Sequence, residues 1–209
     1  MDAEPGKLYW HDFAQDDRVS TVLIKEHAEL LKAADLMDRM AAWIESGGSA
    51  TMAQMHTLVH FARHFVQPGH LSKEEKVLYP AMVEAGAATP DVAPLAEVLG
   101  EDDVLRRELS AFHATFHDLR HGADTIDGRY RFASAAHQTA DQLRKHVQHV
   151  EAALFPLAEA QLPQARKEQV IEGFAVIEEQ VDHEDHQAQV HALEALEAQL
   201  NAMEASSKA

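Results

Sequence analysis

The feature that most constrains what this chain can fold into is a frame written twice. His70-Leu-Ser-Lys-Glu74-Glu75-Lys-Val-Leu78-Tyr79-Pro80 recurs in the second half as His146-Val-Gln-His149-Val150-Glu151-Ala-Ala-Leu154-Phe155-Pro156. Each copy runs from a histidine through seven residues to Leu-aromatic-Pro. The upstream partners repeat as well, since His27 precedes His70 by 43 residues and Asp102 precedes His146 by 44. Self-similarity of this kind signals one supersecondary unit built more than once. The unit here is a helical hairpin with a polar residue on its first helix and a histidine beside a carboxylate on its second. Two such hairpins face to face describe a metal site inside a four-helix bundle.

Composition agrees with helices. The chain is rich in Ala, Leu, Glu and Gln, and its 209 residues include only 9 Gly and 7 Pro, which favours helix over strand. That length is expected to make a single domain over 1–209. Against 18 basic residues stand 35 acidic ones, for a net charge of −17. Nucleic acid and anionic membrane need clustered Lys and Arg and are not expected as partners. The absence of Cys removes disulfides, thiolate nucleophiles and Cys-type zinc or iron–sulfur sites. The opening Met-Asp-Ala-Glu-Pro-Gly lacks the blocks of a signal peptide, and no apolar run reaches the ~18 residues of a membrane span, so a cytoplasmic location is expected. Histidine is the unusual count: 15, several of them interrupting apolar stripes.

Residues 1–17 are expected to form an arm, with Tyr9, Trp10, His11 and Phe13 laid over the bundle. Ser20 or Thr21 can cap a first helix, in which Leu23, His27, Leu30, Ala34, Met37, Ala41 and Ile44 recur at helical spacing. A second helix runs from about Thr51, and Pro68-Gly69 is expected to kink or restart it just before His70. After a loop from Gly86 to Pro94, a third helix reaches about Leu119 with Leu99, Asp102, Leu105, Leu109, Phe112 and Phe116 on one side. A turn at Gly122 to Gly128 leads to a fourth, aligned on Phe132, Ala136, Thr139, Leu143, His146 and Val150. The expected fold is all-α, an up-down-up-down four-helix bundle over about 20–162. One additional C-terminal helix is expected over about 165–204, apolar at Val170, Phe174, Ile177, Val181, Leu193, Leu196 and Leu200.

His27, Asp102 and His146 each stand where a stripe demands a core residue, and His70 with Glu74 does so one turn apart on the same face. Buried polar groups without partners are costly, and one metal ion relieves several of them together. Antiparallel connection brings the levels into register, because the path from His27 through one loop to His70 returns to about the same height at ~1.5 Å per residue. A lone buried histidine is explained by a hydrogen bond. Four polar core positions in a repeated frame favour a metal.

At these residues the chain resembles the hemerythrin-like (HHE cation-binding) family. His70 followed by Lys73-Glu74-Glu75 and Leu78-Tyr79-Pro80 is similar to that family's second-helix signature. Glu26-His27 resembles its first-helix motif, and Leu143-Arg-Lys-His146 through Leu154-Phe-Pro156 its fourth. The resemblance covers about residues 20 to 160. It implies a four-helix bundle around non-haem iron, two ions per chain, with His27, His70, Glu74 and His146 as ligands. Three positions depart from the family pattern. Asp102 replaces a ligand histidine on the third helix, within Glu101-Asp102-Asp103-Val-Leu-Arg106. Val150 stands where a glutamate is usual, leaving Glu151, one residue further, as the candidate and His149 as its substitute. Leu71 stands where many relatives carry a second histidine. The metal-site candidates are therefore His27, His70, Glu74, Asp102, His146 and Glu151, a set richer in carboxylate than an oxygen carrier's.

Two further rows, His56, His60, His64 and His113, His117, His121, are spaced at i, i+4, i+8 and flank the apolar stripes. They read as half-exposed surface, with a second metal site near His56, His60, His113 and His117 as the alternative. His183 and His186 lack the glutamate of a zinc protease and read as surface or lid residues. The function expected is binding of, and reaction with, a small oxidant (dioxygen, peroxide or nitric oxide) at iron, as an oxidase, peroxidase or catalase-like activity. The alternative is a non-catalytic sensor or iron-storage module acting through the C-terminal helix, where a protein partner or a second copy would dock.

Overall fold

A computed structural model describes residues 18–181 and 183–207 of the chain. The expected N-terminal arm, with Tyr9, Trp10, His11 and Phe13, lies outside the described residues. Among the described residues every regular element is helical and no strand occurs. No described helix is long and apolar enough to cross a membrane.

Helix α1, Ser20–Glu45, buries the stripe that its spacing marks out, from Leu23 and His27 to Ala41 and Ile44. Its N-terminus is capped from a distance. The Ser20 N–H and hydroxyl both donate to Glu159 Oε1 at 2.9 Å, and Lys167 holds the same carboxylate from the other side at 2.9 Å. A tertiary carboxylate thus replaces the expected local cap, satisfying donors that helix termini leave open. Gly47, at φ 85°, ends the helix in the left-handed region.

Helix α2 begins at a Thr51–Gln54 capping box. It continues through Met52–Phe61, the wide-turn stretches Ala62–Leu71 and Glu74–Leu78, and Tyr79–Glu84. Pro68 was expected to kink or restart it, and the structure instead widens the turn. A proline lacks the N–H that would bond four residues back, and its ring crowds that carbonyl, so the backbone takes the looser i→i+5 pattern and goes on. Pro80 and Pro156 do the same to the turns before them, Glu74–Leu78 and Val150–Leu154. The twice-written frame is therefore also a backbone device, one wide turn per copy.

Helix α3 is Leu95–Asp118, and α4 is Ile126–His149, continued by Val150–Leu154 and Phe155–Gln161. Contacts between α1 and α4 descend in opposite order: His27 with Glu151, Asp38 with His137, Glu45 with Tyr130. Those between α2 and α3 do likewise, with Tyr79 meeting Asp102, Glu75 meeting Arg106 and Arg63 meeting His113. The helix expected over about 165–204 is described as α5 Gln164–Val181 and α6 His183–Ser207, on either side of residue 182, which lies outside the described residues. Both pack on the bundle. Gly173 lets α5 come close to α2, since a Cβ there would sit 2.6 Å from Val77 Cγ1.

The core is two apolar clusters, one holding Leu30, Leu71, Leu105 and Leu143 with α6's Leu193, Leu196 and Leu200. The other holds Leu23, Leu78, Val98 and Val150 with α5's Val170 and Phe174. Between them, one turn from each, lies a polar layer. Leu193 is fully buried, so Leu193→Ala should cost about 2–5 kcal/mol. Chemical denaturation should show a lower midpoint at an unchanged slope; an unchanged midpoint would mean that α6 does not pack on the bundle.

Candidate metal centre

Three helices, α1, α2 and α4, send donor atoms into the polar layer, and these converge. His27, His70, Glu74 and His146 are all buried, and one ligand atom from each lies within 4.8 Å of the others. His70 Nε2 and His146 Nε2 are 3.2 Å apart. Glu74 Oε1 lies 3.5 Å from His70 Nε2 and 3.7 Å from His27 Nε2, and Glu74 Oε2 lies 3.3 Å from His146 Nε2. Ligand atoms ~2.1 Å from a common ion stand about 3 Å apart at right angles and about 4 Å apart when opposite. The spacing fits one ion.

The far side of each imidazole is held by a carboxylate. His70 Nδ1–H donates to Glu26 at 2.9 Å, His146 Nδ1–H to Asp102 at 2.8 Å and His27 Nδ1–H to Glu151 at 2.9 Å. With the proton on Nδ1, each ring turns an Nε2 lone pair inward. Three lone pairs and a carboxylate in an apolar surrounding repel one another unless a cation sits among them. Two atoms register the need directly: His27 Nε2 and Glu74 Oε1 are buried with no hydrogen-bond partner. Tyr79 holds Glu74 in place, its hydroxyl donating to Oε2 at 2.8 Å. Carboxylate–histidine pairs of this kind orient metal ligands and raise their basicity.

Without a metal the layer takes its cation as a proton. Burial works against charging His146, but the Glu74 carboxylate and the hydrogen bond to Asp102 prevail and hold it at about 10. Burial would raise Glu74, yet the charges of His146 and His70 hold it well below the usual carboxylate range. His70 is lowered, chiefly by burial.

Of the six candidate residues, the structure thus gathers His27, His70, Glu74 and His146, and sets Asp102 and Glu151 behind the rings of His146 and His27. His149 stands apart, 2.6 Å from Glu101. The two histidine rows line one cleft of about 150 Å³ between α2 and α3. Among the described residues no three donors there come within reach of one ion. Arg63 donates to His113 Nε2 at 2.8 Å, and Arg120 stands in the same wall, so two guanidinium groups oppose a cation. His137 turns away to Asp38 at 2.5 Å.

His186 corrects the sequence reading. Expected as a surface or lid residue, it is 4% exposed, packs on Phe65 with ring centroids 4.1 Å apart, and places Nδ1 2.9 Å from Glu178 Oε1. It stands on the first described turn of α6. Lys73 and Glu178, both buried, were also missed as parts of the layer. Lys73 donates to Glu26 and, at 2.6 Å, to Glu178. Burial would raise Glu178, but His186 and Lys73 bring it down to about 2. The available signal was spacing, since Glu178 falls one turn after Phe174 on the buried stripe of α5, where a charge needs a partner.

Residues 18–158 match the family model described as the hemerythrin HHE cation binding domain. The match covers well over half of the chain, which therefore belongs to that family. No curated protein and no solved structure matches it significantly.

The charge on His146 gives a pH dependence. Its folded value lies above the ordinary 6.5, so it stabilises the metal-free fold fully below about 6.5 and ceases to do so as pH rises through about 10. The melting temperature of chelator-treated protein should fall across that window, and His146→Gln should remove much of the fall. A wild-type curve that is flat or rising there would contradict the assignment.

Proposed function

We propose that this hemerythrin-family chain holds non-haem iron between His27, His70, Glu74 and His146 and reacts there with a small oxidant, dioxygen, peroxide or nitric oxide. The observation that carries the reading is the convergence of three inward Nε2 atoms on Glu74, each ring backed by a carboxylate. In this reading 1–209 is one domain whose helices α1 to α4 run up, down, up and down, with α5 and α6 along α2. Imidazole with carboxylate suits iron, and four protein donors leave two of six octahedral positions for a small molecule. Bound iron supplies the one-electron chemistry. The chain orients the imidazoles, keeps Glu74 ionised through Tyr79 and the histidines, and excludes bulk water with the apolar clusters on either side. Asp102 and Glu151 orient His146 and His27 when one ion is present. They are the carboxylates that a second ion, implied by the family resemblance, would recruit.

A carboxylate on each Nδ1–H raises the basicity of the inward nitrogen, and harder, more anionic donors favour the more highly charged ferric state. Iron held by these residues would therefore favour the ferric state and irreversible reaction with an oxidant over reversible oxygen binding. The alternative, a sensor acting through the C-terminal helices, is favoured by one observation, the contact of Lys73 with Glu178 of α5. Catalytic consumption of peroxide separates the two, since a sensor reacts once.

Two outcomes are expected. His70→Ala and His146→Ala should each lose most bound iron while the far-ultraviolet circular dichroism stays helical, and full iron in both variants would contradict the assignment. An anaerobic ferrous sample given oxygen and then degassed should remain oxidised. A spectrum that returned to its starting state over several cycles would make this an oxygen carrier.

A further inference from the structure

Helices α5 and α6 lie beyond the family match at 18–158, yet a buried chain of contacts ties them to the metal centre. His70 Nδ1–H donates to Glu26 Oε2, while Glu26 Oε1 accepts from Lys73. Lys73 Nζ donates in turn to Glu178 Oε2 on α5, and His186 of α6 lies against Glu178 Oε1. Every member is at least nine-tenths buried, from His70 and Lys73 at 0% exposed to His186 at 4%. Lysine is almost never found at such depth unless its charge is shared, and here two carboxylates among the described residues share it.

We infer that Glu178 is a positioning residue of the metal centre, which by sharing Lys73 sets how much of the Glu26 negative charge reaches His70, and so makes the C-terminal helix pair a working part of the site. The inference rests on the reading of His70 as a metal ligand. A carboxylate on Nδ1–H strengthens the donation of the opposite ring nitrogen, and an ammonium drawn onto that carboxylate weakens it. With Glu178 in place, Lys73 divides its charge between α1 and α5. When Glu178 is neutral, Lys73 shifts toward Glu26, the hydrogen bond to His70 weakens, and His70 becomes a poorer donor to a highly charged metal. The effect has one sign: lower metal affinity and a higher ferric/ferrous potential. Movement of α5 would act on the metal along the same path.

The test compares wild type, Glu178→Gln, Glu178→Asp and a control, Phe174→Leu, which perturbs the buried face of α5 at an apolar residue that is not a member of the contact chain. Ferrous iron alone is the probe, its affinity measured anaerobically by chelator competition and its potential by spectroelectrochemical titration. Glu178→Gln should bind iron roughly 10- to 100-fold more weakly and show a more positive potential. Glu178→Asp should restore most of both. Phe174→Leu should lower the melting temperature and leave affinity within about twofold of wild type. Unchanged affinity and potential in Glu178→Gln, or an equal change in Phe174→Leu, would overturn the inference while the metal assignment stood. Wild-type protein that bound no iron would overturn both, and would be seen before any variant was made.

Discussion

Three histidine nitrogens and a carboxylate aimed at one point inside an apolar core cannot stay there without a positive charge. That requirement organises the rest of the structure. It explains why each imidazole carries its own carboxylate, since a ring free to turn would offer either nitrogen, and Glu26, Asp102 and Glu151 fix the choice. It also explains the layering. An apolar cluster on each side, with Leu30 and Leu23 one turn either way from the His27 level on α1, keeps water from screening the charges and so strengthens every interaction among them.

Backbone and site are coupled through proline. The wide turns at Ala62–Leu71 and Glu74–Leu78 bury six consecutive residues from Gly69 to Glu74, which a helix with one wet face does not do. They are buried because α2 is enclosed on both sides at that level. His70 and Glu74 face the bundle, and Lys73 faces α5. Wide turns of this type recur at functional sites, where they re-aim side chains without ending the helix.

What was legible in the sequence was whatever repeats or has a period. The α1 stripe could be read residue by residue, and so could the convergence of His27, His70, Glu74 and His146, because helical spacing and the duplicated frame state them twice. What could not be read depends on distances across the fold. Glu159 capping α1 joins residues far apart in sequence, and no local pattern announces it. Periodicity puts Asp102 and Glu151 near the site but does not say which side of an imidazole they will meet. His186 was misread because its neighbours Phe65 and Glu178 are tertiary partners, and a polar, Gln-rich helix does not announce in sequence which of its histidines will meet them.

The central claim is that one metal ion occupies the point between His27, His70, Glu74 and His146. The most direct measurement is a crystal structure of the purified protein with anomalous data collected on both sides of the iron absorption edge. An anomalous peak is expected at that point, about 2.1 Å from the three Nε2 atoms and a Glu74 oxygen, present above the edge and lost below it. A refined structure with no peak in the polar layer, or with its only iron in the histidine cleft between α2 and α3, would contradict it.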